Sequence, residues 1–153
     1  GGMLIDPSIL FNSKLKKKRV ISKETSTIMN QMLRANVDKK NQTPGSGRKA
    51  DIKGYDVLGK TGTAQKTSKK DKGYSKEILN VFASAFPSRK PKYVLTVLID
   101  EPKGAPQIWK HSRREAGWNA VYITGKIIQK IGPSLAINDL DLLNNYASHT
   151  KNN

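Results

Sequence analysis

The sequence predicts an α+β fold, an antiparallel sheet with helices packed on it, and three observations carry that expectation. Apolar residues recur at helical spacing near the beginning and near the end of the chain. Three strand-like runs lie between those two segments, and the last two runs are joined by a link too short for a parallel crossover.

Taken in order, residues 1–10 show no long periodicity, and Asp6-Pro7 reads as a turn before the basic run 14–19. Ser22 is a natural N-cap, and Ile28, Met29, Met32, Leu33 and Val37 follow at helical spacing, so a helix is expected over 23–37, with an apolar stripe that needs a partner. Residues 38–53 are polar and broken by Pro44, Gly45 and Gly47, which makes a connecting loop. The first strand is expected over 55–66, where glycine suggests that something lies close to the backbone. Residues 78–86 and 92–99, joined through Pro87 and Pro91, read as a buried antiparallel hairpin. Residues 100–117 form an irregular connection with Pro102, Gly104 and Pro106. A second helix over 118–131 presents Val121, Thr124, Ile127, Ile128 and Ile131 on one side, and Gly132-Pro133 is expected to end it. The domain portion thus covers 1–132, and 133–153 reads as a polar tail with a short helix near 139–146.

Composition narrows the class. The 153 residues are 36% hydrophobic and 26% charged, in the range of a folded chain. The net charge of +16 attracts polyanions, but the lysines cluster in loop segments without the aromatic interleaving that stacks bases. Solvated surface is the better reading, and nucleic acid is not an expected partner. The chain has no cysteine, which excludes disulfides and thiolate metal sites. His111 and His149 have no partner at ligand spacing, so no metal or other cofactor is expected. Trp109 and Trp118 read as packing residues, and Asp100-Glu101 as a strand-end turn. The longest mainly apolar stretch, 93–99, is too short to cross a bilayer, so any anchor is expected outside this chain.

The chemically informative segment is Lys60-Thr61-Gly62-Thr63 in the first strand. An ammonium, two hydroxyls and a missing side chain on one extended stretch suit a ligand that brings a carboxylate and lays its backbone along the strand. Alternation puts Lys60 and Gly62 on one face and Thr61 and Thr63 on the other, so an edge position or a twist is required if all four serve one ligand.

Around this segment the run from Gly45-Ser46-Gly47-Arg48-Lys49-Ala50 through Gly54-Tyr55-Asp56-Val57-Leu58-Gly59 to Lys60-Thr61-Gly62-Thr63-Ala64-Gln65-Lys66 resembles the loop and third strand of class B penicillin-binding proteins, the monofunctional peptidoglycan transpeptidases. Phe82-Ala83-Ser84-Ala85-Phe86-Pro87, the stretch from Tyr93 to Pro102, the helix after Trp118 and the opening Gly1-Gly2 segment are similar to the same family, and most similar to its cell-division type. The resemblance implies the C-terminal part of a transpeptidase domain. It implies that Lys60 serves catalysis as a positive charge beside the nucleophilic serine. Thr61 and Thr63 would bind the terminal carboxylate of a D-Ala-D-Ala stem peptide or of a β-lactam, Gly62 would permit close approach, and the Thr63 N–H would form half of an oxyanion hole. The family's S-x-x-K and S-x-N motifs normally precede this region. No S-x-N occurs here, and S-x-x-K strings such as those at 13–16 and 46–49 read as chance because neither of these opens an apolar helix.

The chain is therefore expected to be inactive alone and to need the N-terminal half of its domain. Cell-division proteins and a second copy of the chain are further expected partners, and the periplasmic side of the bacterial inner membrane is the expected location. A β-lactamase or D,D-carboxypeptidase relative and a basic anion-binding module are the alternatives. Ser84, where the family leads one to expect glycine, and the basic stretch 103–115 depart from the pattern.

Overall fold

The computed structural model describes residues 1–10, 15–43, 45–67, 73–110 and 112–150, with 141–150 described by backbone alone. His111, the S-x-x-K string beginning at Ser13 and most of the 66–72 lysine loop lie outside the described residues, as do Pro44 and the side chain of His149.

Strands β1 (Met3–Ile5) and β2 (Lys17–Arg19) pair antiparallel, Met3 opposite Arg19. The sequence reading placed no strand in either segment, because both are short, exposed and without alternation. Helix α1 (Lys23–Ala35) begins where Ser22 accepts the Thr25 N–H at 3.0 Å, the cap expected from the sequence. No residue of α1 is buried: Ile28, Met29 and Met32 stand exposed and Leu33 is half-buried, and of the expected stripe Val37 alone, just past the helix end, enters the core.

Strands β3 (Leu58–Thr67), β4 (Tyr74–Phe86) and β5 (Tyr93–Asp100) form one antiparallel sheet in the order β3-β4-β5, as the three runs and their short link required. The pairings Thr61↔Phe82 and Phe82↔Val97 set the register. Directly paired residues share a face. One face therefore carries Ile78, Asn80, Phe82, Ser84 and Phe86, all buried, and the other carries Lys60, Gly62, Ala83, Val94 and Leu98. The first face is covered by α3 (Ala120–Thr150) and the loops before it, with Phe82, Val57, Val37, Val121 and Ile128 fully enclosed. Burying a side chain the size of Phe82 contributes about 2–3 kcal/mol. Gly59 makes room for it, since a β-carbon there would fall 2.6 Å from the Phe82 ring. The close approach suggested by glycine in this strand is thus the core itself at Gly59, whereas a β-carbon at Gly62 would meet only Val81 at 3.9 Å. Ser84 is satisfied within the sheet, donating to the Leu95 carbonyl at 2.7 Å.

Two departures from the sequence reading concern the second half. The connection 101–117 holds a short helix, α2 (Pro106–Trp109), and a 3-10 turn, Ala116–Trp118. Helix α3 does not stop at Ile131 but runs through Pro133 to Thr150. Gly132 reads as a stop signal, yet its missing side chain serves packing: a β-carbon there would lie 2.3 Å from Tyr55 Cε1. Beyond Pro133 the helix is tied to β5, where Tyr93 donates to Asp139 at 2.9 Å and Lys92 pairs with the same carboxylate at 2.9 Å. No helix among the described residues is long and apolar enough to cross a membrane.

Candidate active-site strand

Among the described residues strand β3 lies at the edge of its sheet, bonded to β4 on one side only. In an antiparallel pair, alternate residues turn their N–H and C=O groups toward the neighbour and the others turn them away. Gly59 turns away, because its carbonyl accepts from the Asn36 side-chain amide at 2.8 Å, just past the end of α1. Two residues earlier, the Arg34 guanidinium bonds the Val57 carbonyl at 2.7 Å. The C-terminal turn of α1 thus occupies the edge up to Gly59. By the same alternation, Thr61 and Thr63 direct their main-chain groups to the side away from β4, where the Thr61 carbonyl accepts from the Lys60 ammonium.

The hydroxyls of Thr61 and Thr63 share the α3-facing side of this edge. Thr61 Oγ1 lies 2.8 Å from Ser46 Oγ, and Thr63 Oγ1 accepts the Ala116 N–H at 3.4 Å. Lys60 extends from the opposite face, exposed, with its ammonium 3.0 Å from the Thr61 carbonyl and no carboxylate partner among the described ion pairs. The structure therefore divides the four sequence-selected residues, two hydroxyls above the strand and the ammonium with Gly62 below it, at an edge that both sides reach.

A groove of about 240 Å³ opens beside Ser46, lined by Gly45, Arg48, Lys49, Glu115, Gly117 and Trp118. Lys49 stands over Trp118 at 3.8 Å and Trp109 at 5.0 Å, and the two indoles meet edge to face at 5.4 Å. Packing is indeed what these tryptophans do. Burial, and secondarily the charge of Arg48, lowers the Lys49 ammonium below the usual lysine range. A larger groove of about 1220 Å³ runs along α1 and contains none of Lys60, Thr61, Gly62 or Thr63. Its floor is an ion network in which Arg34 meets Asp51 at 2.8 Å and Asp56 at 3.0 Å. Asp100 and Glu101, read as a strand-end turn, each meet Lys66 at 2.6 Å. That shared contact raises the Lys66 ammonium above the usual lysine range, through Asp100 first and then Glu101. No group of three or more metal-ligating side chains occurs among the described residues.

Sequence reasoning did not single out Arg34 or Asn36, and it met Ser46 only within the family-like loop and in an S-x-x-K string read as chance. For Ser46 the available signal was its place between two glycines, a local pattern that forces close packing. For Asn36 it was a carboxamide at a helix end.

An antiparallel sheet with helices on one face and a Lys-Thr-Gly-Thr segment on its edge strand is the arrangement that the sequence resemblance implies. Residues 1–127 match the family model of the penicillin binding protein transpeptidase domain, and the chain belongs to that family. It is 36% identical over 143 residues to the probable peptidoglycan D,D-transpeptidase FtsI of Caulobacter vibrioides, covering 88% of this chain and 23% of that protein. It is 35% identical over 137 residues to stage V sporulation protein D of Bacillus subtilis, covering 87% of this chain and 19% of that protein. Penicillin binding protein 3 of Mycobacterium tuberculosis, solved with ampicillin, superimposes on 79% of this chain and 27% of its own at a TM-score of 0.62 and 27% identity. The chain thus spans less than a quarter of the length of these curated relatives.

Proposed function

We propose that this chain is the substrate-binding part of a peptidoglycan D,D-transpeptidase of the cell-division type. The observation that carries the reading is the edge of β3, closed by Asn36 up to Gly59 and, among the described residues, unpaired by any strand from Thr61, with two hydroxyls on one side and on the other a lysine that meets no described carboxylate. On this reading a stem peptide ending in D-Ala-D-Ala pairs with the open edge, and its carboxylate is held by Thr61 and Thr63. The Thr63 N–H polarises the scissile carbonyl, and Gly62 leaves room for close approach. Lys60 projects from the face that also exposes Val94 at 79% and Leu98 at 58%. That apolar face is where the half of the domain bearing the nucleophilic serine would pack, bringing S-x-x-K and S-x-N against the Lys60 ammonium. The serine attacks the penultimate D-alanine carbonyl, D-alanine leaves, and an amine of a second strand takes the acyl group. β-Lactams acylate the same serine. The reaction belongs on the periplasmic side of the inner membrane, among cell-division proteins.

The test is to isolate, with an antibody raised against these 153 residues, the polypeptide that carries them in its own cells, and to expose both it and the isolated chain to a fluorescent penicillin. The native polypeptide is expected to take up one covalent label and the chain alone none. An unlabelled native polypeptide overturns the transpeptidase reading, and label on a serine of the isolated chain overturns its inactivity.

A further inference from the structure

The contact between Ser46 and Thr61 is built rather than incidental. A β-carbon at Gly45 would lie 2.3 Å from Asn36 Oδ1, and one at Gly47 would lie 2.8 Å from Val37 Cγ2, so the loop holds this path only with glycine on both sides of Ser46. The Gly47 N–H also bonds the Asn36 carbonyl at 3.2 Å. The same Asn36 closes the edge at Gly59, so one residue fixes both the strand and the loop that places Ser46 Oγ 2.8 Å from Thr61 Oγ1.

A hydroxyl carries one proton and accepts through its lone pairs. Thr63 accepts the Ala116 N–H, which leaves its proton free to point outward. Among the described residues no N–H donates to the Thr61 hydroxyl, and its neighbour is Ser46. We propose that Ser46 is a positioning residue that donates to Thr61 and thereby turns the Thr61 hydroxyl outward as a donor, so that the edge offers two O–H donors and selects an ionised carboxylate over an ester or amide. This rests on the carboxylate-binding role proposed above for Thr61 and Thr63. An acceptor-only anion gains from both protons, and a donor that itself accepts a hydrogen bond is polarised into a stronger one. A neutral ester gains much less from the same arrangement.

The test uses the native full-length polypeptide and compares acylation by a penicillin with acylation by its methyl ester, resolving the binding constant from the acylation step. With Ser46→Ala, Thr61 keeps its hydroxyl and loses only its orientation, so the preference for the free acid is expected to fall about three- to tenfold, in binding rather than in the acylation step. Ser46→Thr restores the preference, and in a Thr61→Val background Ser46→Ala changes it no further. If Ser46→Ala does not fold, Ser46→Cys, a near-isosteric weak donor, supplies the same comparison. Equal losses on acid and ester, or an unchanged preference, overturn the inference while leaving the transpeptidase reading standing. A wild-type polypeptide that no penicillin acylates overturns both.

Discussion

The side-chain amide of Asn36 bonds the main-chain carbonyl of Gly59 at 2.8 Å, so the end of a helix stands where a neighbouring strand would otherwise begin to pair. One residue further along β3 the candidate site starts. An exposed strand edge is open to any extended chain, and a side-chain plug at one end limits where such a chain can register. Asn36 and Arg34 together cover the edge before Lys60, and from Thr61 onward no strand pairs with it among the described residues.

Replacing Asn36 with Ala removes one part-buried hydrogen bond and leaves the Gly59 carbonyl without its partner, a loss of about 1–2 kcal/mol. Because Gly45 and Gly47 pack on the same residue, the loop carrying Ser46 loosens with it. Urea unfolding of the chain is expected to show a lower midpoint at an unchanged slope. An Asn36→Ala chain with the wild-type midpoint would mean that the Gly59 carbonyl is equally well served by water.

Asp51 gives the chain a pH dependence. Burial pushes its carboxyl up, but the Lys39 N–H and the Arg34 guanidinium outweigh burial and hold it below the usual aspartate value. A carboxyl depressed by folding stabilises the folded state above its unfolded pKa, and that stability is lost as pH falls through the folded pKa. The chain is therefore expected to lose stability on acidification below about pH 4. Asp51→Asn is expected to be less stable at neutral pH and to show a shallower acid decline. Equal acid slopes in the two proteins would remove Asp51 from the linkage.

Much of this was legible in the sequence because each element carried its own signal. Ser22 capped a helix, two apolar runs and a short link gave the β4–β5 hairpin, and Lys60 to Thr63 stood out by chemistry before any contact was known. What escaped was tertiary in origin. Met3–Ile5 and Lys17–Arg19 pair through backbone groups that short exposed segments do not advertise. Ser46 and Asn36 gain their meaning only from what lies across from them. Gly132 and Pro133 misled because the same residues that end a helix also permit close packing, and only Tyr55 and Asp139 decide between the two.

The outer face of the sheet, with Val94 and Leu98 exposed, is expected to make the isolated chain self-associate. Light scattering should report a concentration-dependent mass above that of a monomer. Leu98→Lys should shift the chain toward monomer, and because Leu98 is more than half exposed, its thermal midpoint should change little. A wild-type chain that stays monomeric at high concentration would show that this face needs no cover.

Gly132 allows the path of α3 to be tested by the sign of an effect. In an open helix interior, Gly→Ala stabilises by about 1 kcal/mol through propensity alone. Here the added methyl would meet the Tyr55 ring, so Gly132→Ala is expected to destabilise by about 1–3 kcal/mol through overpacking. With Tyr55→Ala in the background the clash disappears, and the same substitution should become stabilising. A glycine that ended the helix in a left-handed conformation would behave differently, since alanine there is strained whatever faces it. Gly132 is not among the glycines with positive φ. Reversal of sign between the two backgrounds, read from unfolding midpoints, is the outcome expected of a helix that continues through Pro133. Destabilisation of equal size in both would place the end of the helix at Ile131.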